Sequence, residues 1–250
     1  WIDQVERMGE LKRVSGASWD AEMGAITHML TEHSHGTAPA LLFDDVPGYP
    51  KGFRTMYGHF SSLNRVALTL GLPHARERKV DIVKQYYDRI QTMKHVPPRY
   101  VKDGPILENV ITGDAIDVLK FPVPRHHEAD KARYIGTANC VITKDPDAGW
   151  FNLGCYRNQV YDGKTIGCQI TEGKHGRIHR DKYFARGEKM KVVVLVGQDP
   201  LLFMLAASPL PDGISELDFA GGLRGGAEVA VHLQREADDH ATDIFLQRDP

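Results

Sequence analysis

Apolar positions at the start of the chain recur three and four residues apart. Trp1, Ile2, Val5, Met8 and Leu11 fall on one helical face, and Gly9-Glu10-Leu11-Lys12-Arg13-Val14 then runs into an extended segment. A second helix is predicted over residues 20–33. Leu41-Leu42-Phe43 is a short apolar run closed by Asp44-Asp45 and the turn Pro47-Gly48-Tyr49-Pro50, the pattern of a buried strand. Helices are predicted over 62–70, where Gly71 is a natural stop, and over 80–95, before Pro97-Pro98 breaks the chain. The texture changes near residue 105. Strand-like runs follow at 134–143, 155–161, 165–170 and 191–196, with helical stretches at 178–185 and 200–207. The expectation is an α+β chain, with an α/β domain over 1–105 and a β-rich domain over 106–250.

Composition narrows the class of partner. The 250 residues are 42% hydrophobic and 26% charged, as in ordinary folded proteins, and 24 Gly with 14 Pro imply many turns. Lys+Arg 31 against Asp+Glu 33 leaves a net charge of -2, so nothing draws the chain to nucleic acid or an anionic membrane. A small-molecule partner is expected. No apolar run approaches the roughly 20 residues that span a bilayer, and Trp1-Ile2-Asp3-Gln4-Val5-Glu6 is not a signal peptide, so a soluble cytoplasmic protein is expected. Trp1 stands where an initiator methionine is expected, which suggests that preceding residues were trimmed. Cys140, Cys155 and Cys168 are odd in number and lack C-x-x-C spacing, which predicts buried thiols rather than disulfides or a zinc site.

Three stretches carry candidate chemistry. In the first, residues 145–157, a polar turn leads into a strand bearing Asn152 and Arg157. Five residues apart on a regular strand they face opposite ways, and a bulge at Gly154 would bring them together. A surface hairpin with a capping Asn and a solvated Arg accounts for the same residues. In the second, Glu172-Gly173-Lys174-His175-Gly176-Arg177-Ile178-His179-Arg180, a helix start lies among basic side chains and suits a phosphate. His175 and His179 are four apart, but no Glu follows His175 as a zincin requires. A basic solvated turn is the plain alternative. In the third, residues 208–225, Ser208-Pro209-Leu210-Pro211 fixes a turn, Ser215 is a candidate helix cap and Glu216 falls in the first turn. A first-turn Glu also serves simply as a partner of the helix dipole. Asn oxygen, His nitrogen and Glu oxygen together form a donor set for Mn²⁺ or Mg²⁺.

Along most of its length the chain resembles the UbiD family of prenylated-FMN-dependent decarboxylases. The resemblance runs from about Trp1 to about Val231, through the 41–50 stretch, Phe121-Pro122-Val123-Pro124-Arg125-His126-His127-Glu128, and the three stretches above. It implies an N-terminal α/β domain followed by a split β-barrel of the flavin-reductase-like kind. Asn152, His175 and Glu216 resemble the ligands of the divalent metal that binds the flavin phosphate. Arg157 resembles the arginine that meets the substrate carboxylate and contacts the flavin. Backbone around Leu153, Ala206 and Ser208 resembles a potassium site, and Lys174 a cofactor-lining residue. Gly154, Cys155, Tyr156, Ala207 and Pro209, interleaved with these, join the implied cofactor-binding set.

The implied activity is reversible, non-oxidative decarboxylation of an aromatic, heteroaromatic or α,β-unsaturated acid, with CO₂ as co-product. Family members continue for roughly as many residues again, through a segment with two glutamates; residues 233–250 do not resemble it, so the C-terminal part is expected to be absent. An unfinished barrel exposes strand edges, so association with itself or with other subunits is expected. Two further readings stay open: a non-catalytic cofactor-binding subunit, and a zinc hydrolase built on His126, His127, Glu128 and His175. Adjacent histidines on an extended segment point apart, which disfavours the second.

Overall fold

A computed structural model describes residues 1–34, 37–73, 78–226, 229–231 and 243–246. In chain order the elements are α1 (Ile2–Arg7), β1 (Leu11–Ser15), α2 (Glu22–His33), β2 (Ala40–Asp44), β3 (Thr55–Tyr57), α3 (Leu63–Leu70), α4 (Lys79–Thr92), β4 (Arg99–Val101) and β5 (Asn109–Thr112). They continue with β6 (Arg133–Gly136), β7 (Cys140–Lys144), β8 (Phe151–Gly154), β9 (Arg157–Val160), β10 (Ile166–Gln169), α5 (His175–Ala185), β11 (Val193–Leu195), α6 (Pro200–Ala206), α7 (Glu216–Arg224), β12 (Val229–Val231) and β13 (Asp243–Leu246). Residues 232–242 and 247–250 of the terminal stretch lie outside the described residues.

The chain is a mixed α/β fold built on small sheets. β1 and β2 pair in parallel, β3 adds antiparallel to β2, and α1 and α2 pack against them through Val5, Met23, Leu42 and Phe43. Two three-stranded antiparallel sheets follow, ordered β10-β9-β6 and β11-β7-β8, with two-stranded pairs β12-β4 and β13-β5. None of these sheets closes into a barrel among the described residues. Helices α3, α4, α6 and α7 share one core, where Leu201, Leu205 and Leu223 are at most 2% exposed. Each such leucine contributes roughly 1.5–3 kcal/mol of burial free energy. No helix among the described residues is long and apolar enough to cross a membrane.

Local chemistry sets the helix ends. The Ser62 hydroxyl accepts from the N–H groups of Asn64 and Arg65 to start α3, and Gly71 ends it in the left-handed conformation at φ 64°. Ser215 accepts from Leu217 N–H at 3.3 Å and starts α7. The apolar run 134–143 departs from its expectation as one strand. It is two strands, β6 and β7, in different sheets, with Thr137-Ala138-Asn139 between them. The cysteines are all free thiols, but only Cys140 is buried; Cys155 is partly exposed and Cys168 exposed.

The segment after β5 ties the α/β region to the β-rich region. Arg125 pairs with Asp20, Tyr57 shares a 2.8 Å hydrogen bond with His126 Nδ1, and Arg133 donates to Tyr49 at 2.6 Å while its guanidinium lies 3.8 Å from the Trp19 ring centre.

Candidate active site

The site forms where β8, the start of α5, the end of α6 and the start of α7 meet. Asn152 lies on β8 opposite Thr143 of β7 and is 2% exposed. Its side-chain amide donates to Thr143 Oγ1 and to the Tyr156 hydroxyl, each at 3.3 Å. The next residue, Leu153, donates its backbone N–H to Glu216 Oε2 at 2.7 Å, joining β8 to the first residue of α7. Two residues on, Cys155 N–H donates to Ala206 C=O at 2.9 Å, joining the same stretch to α6.

Tyr156 is the hinge of this arrangement. Its ring is clamped between Gly154 and Gly176; a Cβ at Gly154 would come within 2.1 Å of the ring, and one at Gly176 within 2.6 Å. Gly176 N–H donates to the Tyr156 hydroxyl at 3.0 Å, which fixes the first turn of α5 beside Asn152. His175, the first residue of α5, is partly buried, edge-on to Trp150 with ring centres 5.3 Å apart, and its Nε2 is 3.9 Å from Asp212.

Burial dominates the electrostatics. The Glu216 carboxyl is 2% exposed and forms no ion pair among the described residues. Desolvation pushes its pKa up to about 7 against the opposing N–H bonds. Tyr156 is likewise raised by burial, and the Cys140 thiol is pushed up to about 12. Asp145 shows the opposite outcome: burial opposes its ionisation, but Lys182 and the N–H groups of Ala148 and Asp147 hold it at about 2.

The other expected site residues divide into two groups. Ala206 is buried at the end of α6, while Ala207, Ser208 and Pro209 form the turn after it, with the Ser208 hydroxyl donating back to Met204 C=O at 2.8 Å. Arg157 and Lys174 lie on exposed positions. Arg157 is not brought to Asn152 by a bulge, because Asn152 lies on β8 of one sheet and Arg157 on β9 of another. Its guanidinium donates to Gln169 at 2.6 Å and lies 5.8 Å from the Tyr134 ring centre. Gln169, Tyr134, Trp150 and Thr143 were not singled out by sequence; strand pairing brings Gln169, Tyr134 and Thr143 near the motif residues, and Trp150 meets them through its ring contacts with His175 and His179. Among the described residues, no three His, Cys, Asp or Glu side chains converge on one metal position. The His126, His127, Glu128 and His175 set of a zinc hydrolase is therefore not assembled.

Comparison with known proteins identifies the scaffold. Residues 2–80 match the 3-octaprenyl-4-hydroxybenzoate carboxy-lyase N-terminal domain of the UbiD family, and residues 99–239 match its Rift-related domain. Pyrrole-2-carboxylic acid decarboxylase of Pseudomonas aeruginosa is 32% identical over 245 residues, which cover 94% of this chain and 48% of that protein. The closed form of vanillic acid decarboxylase from Sedimentibacter hydroxybenzoicus superposes with a TM-score of 0.85 at 26% identity, covering 93% of this chain and 49% of that one. An evolved dimeric form of the UbiD-class enzyme HmfF from Pelotomaculum thermopropionicum, in complex with prFMN, gives 0.79 at 26% identity, covering 94% and 52%. The chain thus spans about half the length of the curated relatives it matches. With both of its regions matched in family order, the chain belongs to the UbiD carboxy-lyase family.

Proposed function

We propose that this chain carries the cofactor anchor of a reversible, non-oxidative decarboxylase acting on an aromatic, heteroaromatic or α,β-unsaturated carboxylic acid. The observation that carries the reading is Glu216, a carboxylate buried without a cation among the described residues, whose ionisation is opposed up to about pH 7. A divalent ion beside it would offset that cost. Asn152 spends both of its side-chain bonds through Nδ2, which leaves Oδ1 as a metal donor. His175 adds a ring nitrogen from the first turn of α5. Two hard oxygens and one imidazole suit Mn²⁺ or Mg²⁺, with phosphate oxygens and water completing the shell, so the donor set fits.

On this reading Asn152, His175 and Glu216 hold the metal that anchors the phosphate of prenylated FMN. Backbone around Leu153, Ala206 and Ser208 serves a K⁺ ion, and Gly154, Cys155, Tyr156, Lys174, Ala207 and Pro209 line the cofactor. Arg157, held by Gln169, pairs with the substrate carboxylate in a two-pronged contact. The prenylated flavin, when bound, supplies the electron sink for loss of CO₂; the protein's residues bind, orient and exclude water. Residues 1–105 form the α/β domain, and from residue 106 the β7 and β9 sheets form the two walls of a split β-barrel. The protein works as a homo-oligomer or with further subunits.

The test is to produce the protein together with a flavin prenyltransferase and record its absorption spectrum. A metal-dependent prenylated-flavin spectrum is expected, together with CO₂ exchange into an unsaturated acid. A protein that stays colourless overturns the reading. Cofactor uptake without CO₂ exchange, restored by a second subunit, assigns the chain as a cofactor-holding subunit instead.

A further inference from the structure

Behind Asn152 runs a line of buried polar groups that the cofactor reading does not use. Thr143 on β7 is 1% exposed, His179 on α5 is 1% exposed and Asp145, just after β7, is 4% exposed. Thr143 Oγ1 lies 3.0 Å from His179 Nδ1, and His179 Nε2 faces Asp145 Oδ2 at 3.6 Å. At 3.6 Å the His179–Asp145 contact is electrostatic rather than a hydrogen bond, and His179 Nε2 has no hydrogen-bond partner among the described residues. The Asp145 carboxylate, whose Oδ2 accepts from Lys182 at 2.6 Å, attracts a hydrogen and repels a lone pair, which favours the His179 tautomer with its hydrogen on Nε2. Nδ1 is then an acceptor, and the Thr143 hydroxyl donates to it. With its one proton committed, Thr143 Oγ1 can only accept, and the group before it is the Asn152 amide at 3.3 Å. The Tyr156 hydroxyl, already accepting from Gly176 N–H, accepts from the same amide.

We propose that Thr143 and His179 are positioning residues for Asn152, forcing its NH₂ group inward so that its oxygen faces the cation. The Tyr156 hydroxyl can accept from or donate to the amide in either orientation, so the choice falls to Thr143: a flipped amide would set Oδ1 against Thr143 Oγ1, leaving a buried clash of lone pairs there. The inference rests on Asn152 being a metal ligand, as read above. It also gives His179 a role four residues after His175 that is not ligation.

Mn²⁺ affinity of the whole chain, followed by the electron paramagnetic resonance signal of free Mn²⁺, tests it. Thr143→Val keeps the shape and strand propensity of the side chain and removes the hydroxyl; it is expected to weaken Mn²⁺ about 10–100-fold, the usual cost of losing an outer-shell partner. Thr143→Ser should stay near wild type, and His179→Met should lose affinity in the same direction as Thr143→Val, by less. The decisive variant is Thr143→Val with Asn152→Asp. A carboxylate presents oxygen in either orientation, so this pair should recover Mn²⁺ affinity, whereas a general packing defect at Thr143 would not be repaired. Unchanged affinity in both Thr143→Val and His179→Met, or no recovery in the double variant, overturns the inference. Asn152→Ala binding Mn²⁺ as tightly as wild type overturns instead the reading of Asn152 as a ligand.

Discussion

Glu216→Gln should make the metal-free protein more stable at pH 8 while reducing its Mn²⁺ affinity at least about 100-fold, the loss expected for a ligand rather than an outer-shell partner. The two effects have one cause. Burial raises this carboxyl from its ordinary 4.5 to about 7 in the folded chain. Below pH 4.5 both folded and unfolded states hold the proton and nothing is lost. Between 4.5 and 7 the unfolded chain releases its proton while the folded chain keeps it, so stability falls as pH rises; above 7 the loss is complete. At about 1.4 kcal/mol per unit, the whole loss is of order ~3 kcal/mol. Glutamine keeps the acceptor for Leu153 N–H and has nothing to ionise. Urea unfolding at pH 5 and pH 8 without metal reads the difference: the wild type should lose stability relative to the variant over that interval. Parallel pH dependences would contradict it.

Arg65→Leu should destabilise the chain by roughly 3–5 kcal/mol, the usual cost of breaking a buried charge pair from one side. Arg65 is 0% exposed, and all five of its N–H groups are used: Nε donates to His59 C=O, Nη1 to Glu10 C=O and carboxylate, and Nη2 to Ala38 and Gly58 C=O. Leucine leaves the His59 and Ala38 carbonyls without their Arg65 donor, while Glu10 keeps its bonds from Ser62 and Ala40 but loses its cation. Lysine, with three donors on one nitrogen, should recover only part of the loss. The effect should reach the site, because the His59 ring so held packs edge-on to Phe203 of α6, the helix whose Ala206 C=O receives Cys155 N–H. Thermal unfolding of both variants checks this. A midpoint shift of under about 2 °C in Arg65→Leu would contradict it, since 1 kcal/mol moves a chain of this size by about 2–4 °C.

How much of this was legible depended on whether the signal was local. Ser62 and Gly71 bounded α3, and Ser215 capped α7, because caps are written in adjacent residues. Asn152, His175 and Glu216 were found through their motifs, while their shared environment depends on Leu153 N–H meeting Glu216, 63 residues away. Arg65 gave no signal: in Leu63-Asn64-Arg65-Val66 it has the composition of an exposed helix position, and only the fold wraps five oxygens around it. Of the two readings open for the Asn152 to Arg157 stretch, the bulge does not hold, because β8 and β9 belong to different sheets. Gly154 is required by the Tyr156 ring that crosses it, a contact that cannot be told from turn chemistry in one dimension.

The central claim is that Asn152, His175 and Glu216 hold a divalent ion that in turn holds a flavin phosphate. The most direct measurement is electron–nuclear double resonance on the protein loaded with Mn²⁺ and FMN, read at the phosphorus frequency. A ³¹P coupling to bound Mn²⁺ is expected in the wild type and should vanish in Asn152→Ala. Bound Mn²⁺ without phosphorus coupling, or a coupling that survives in Asn152→Ala, His175→Ala and Glu216→Gln alike, would contradict it.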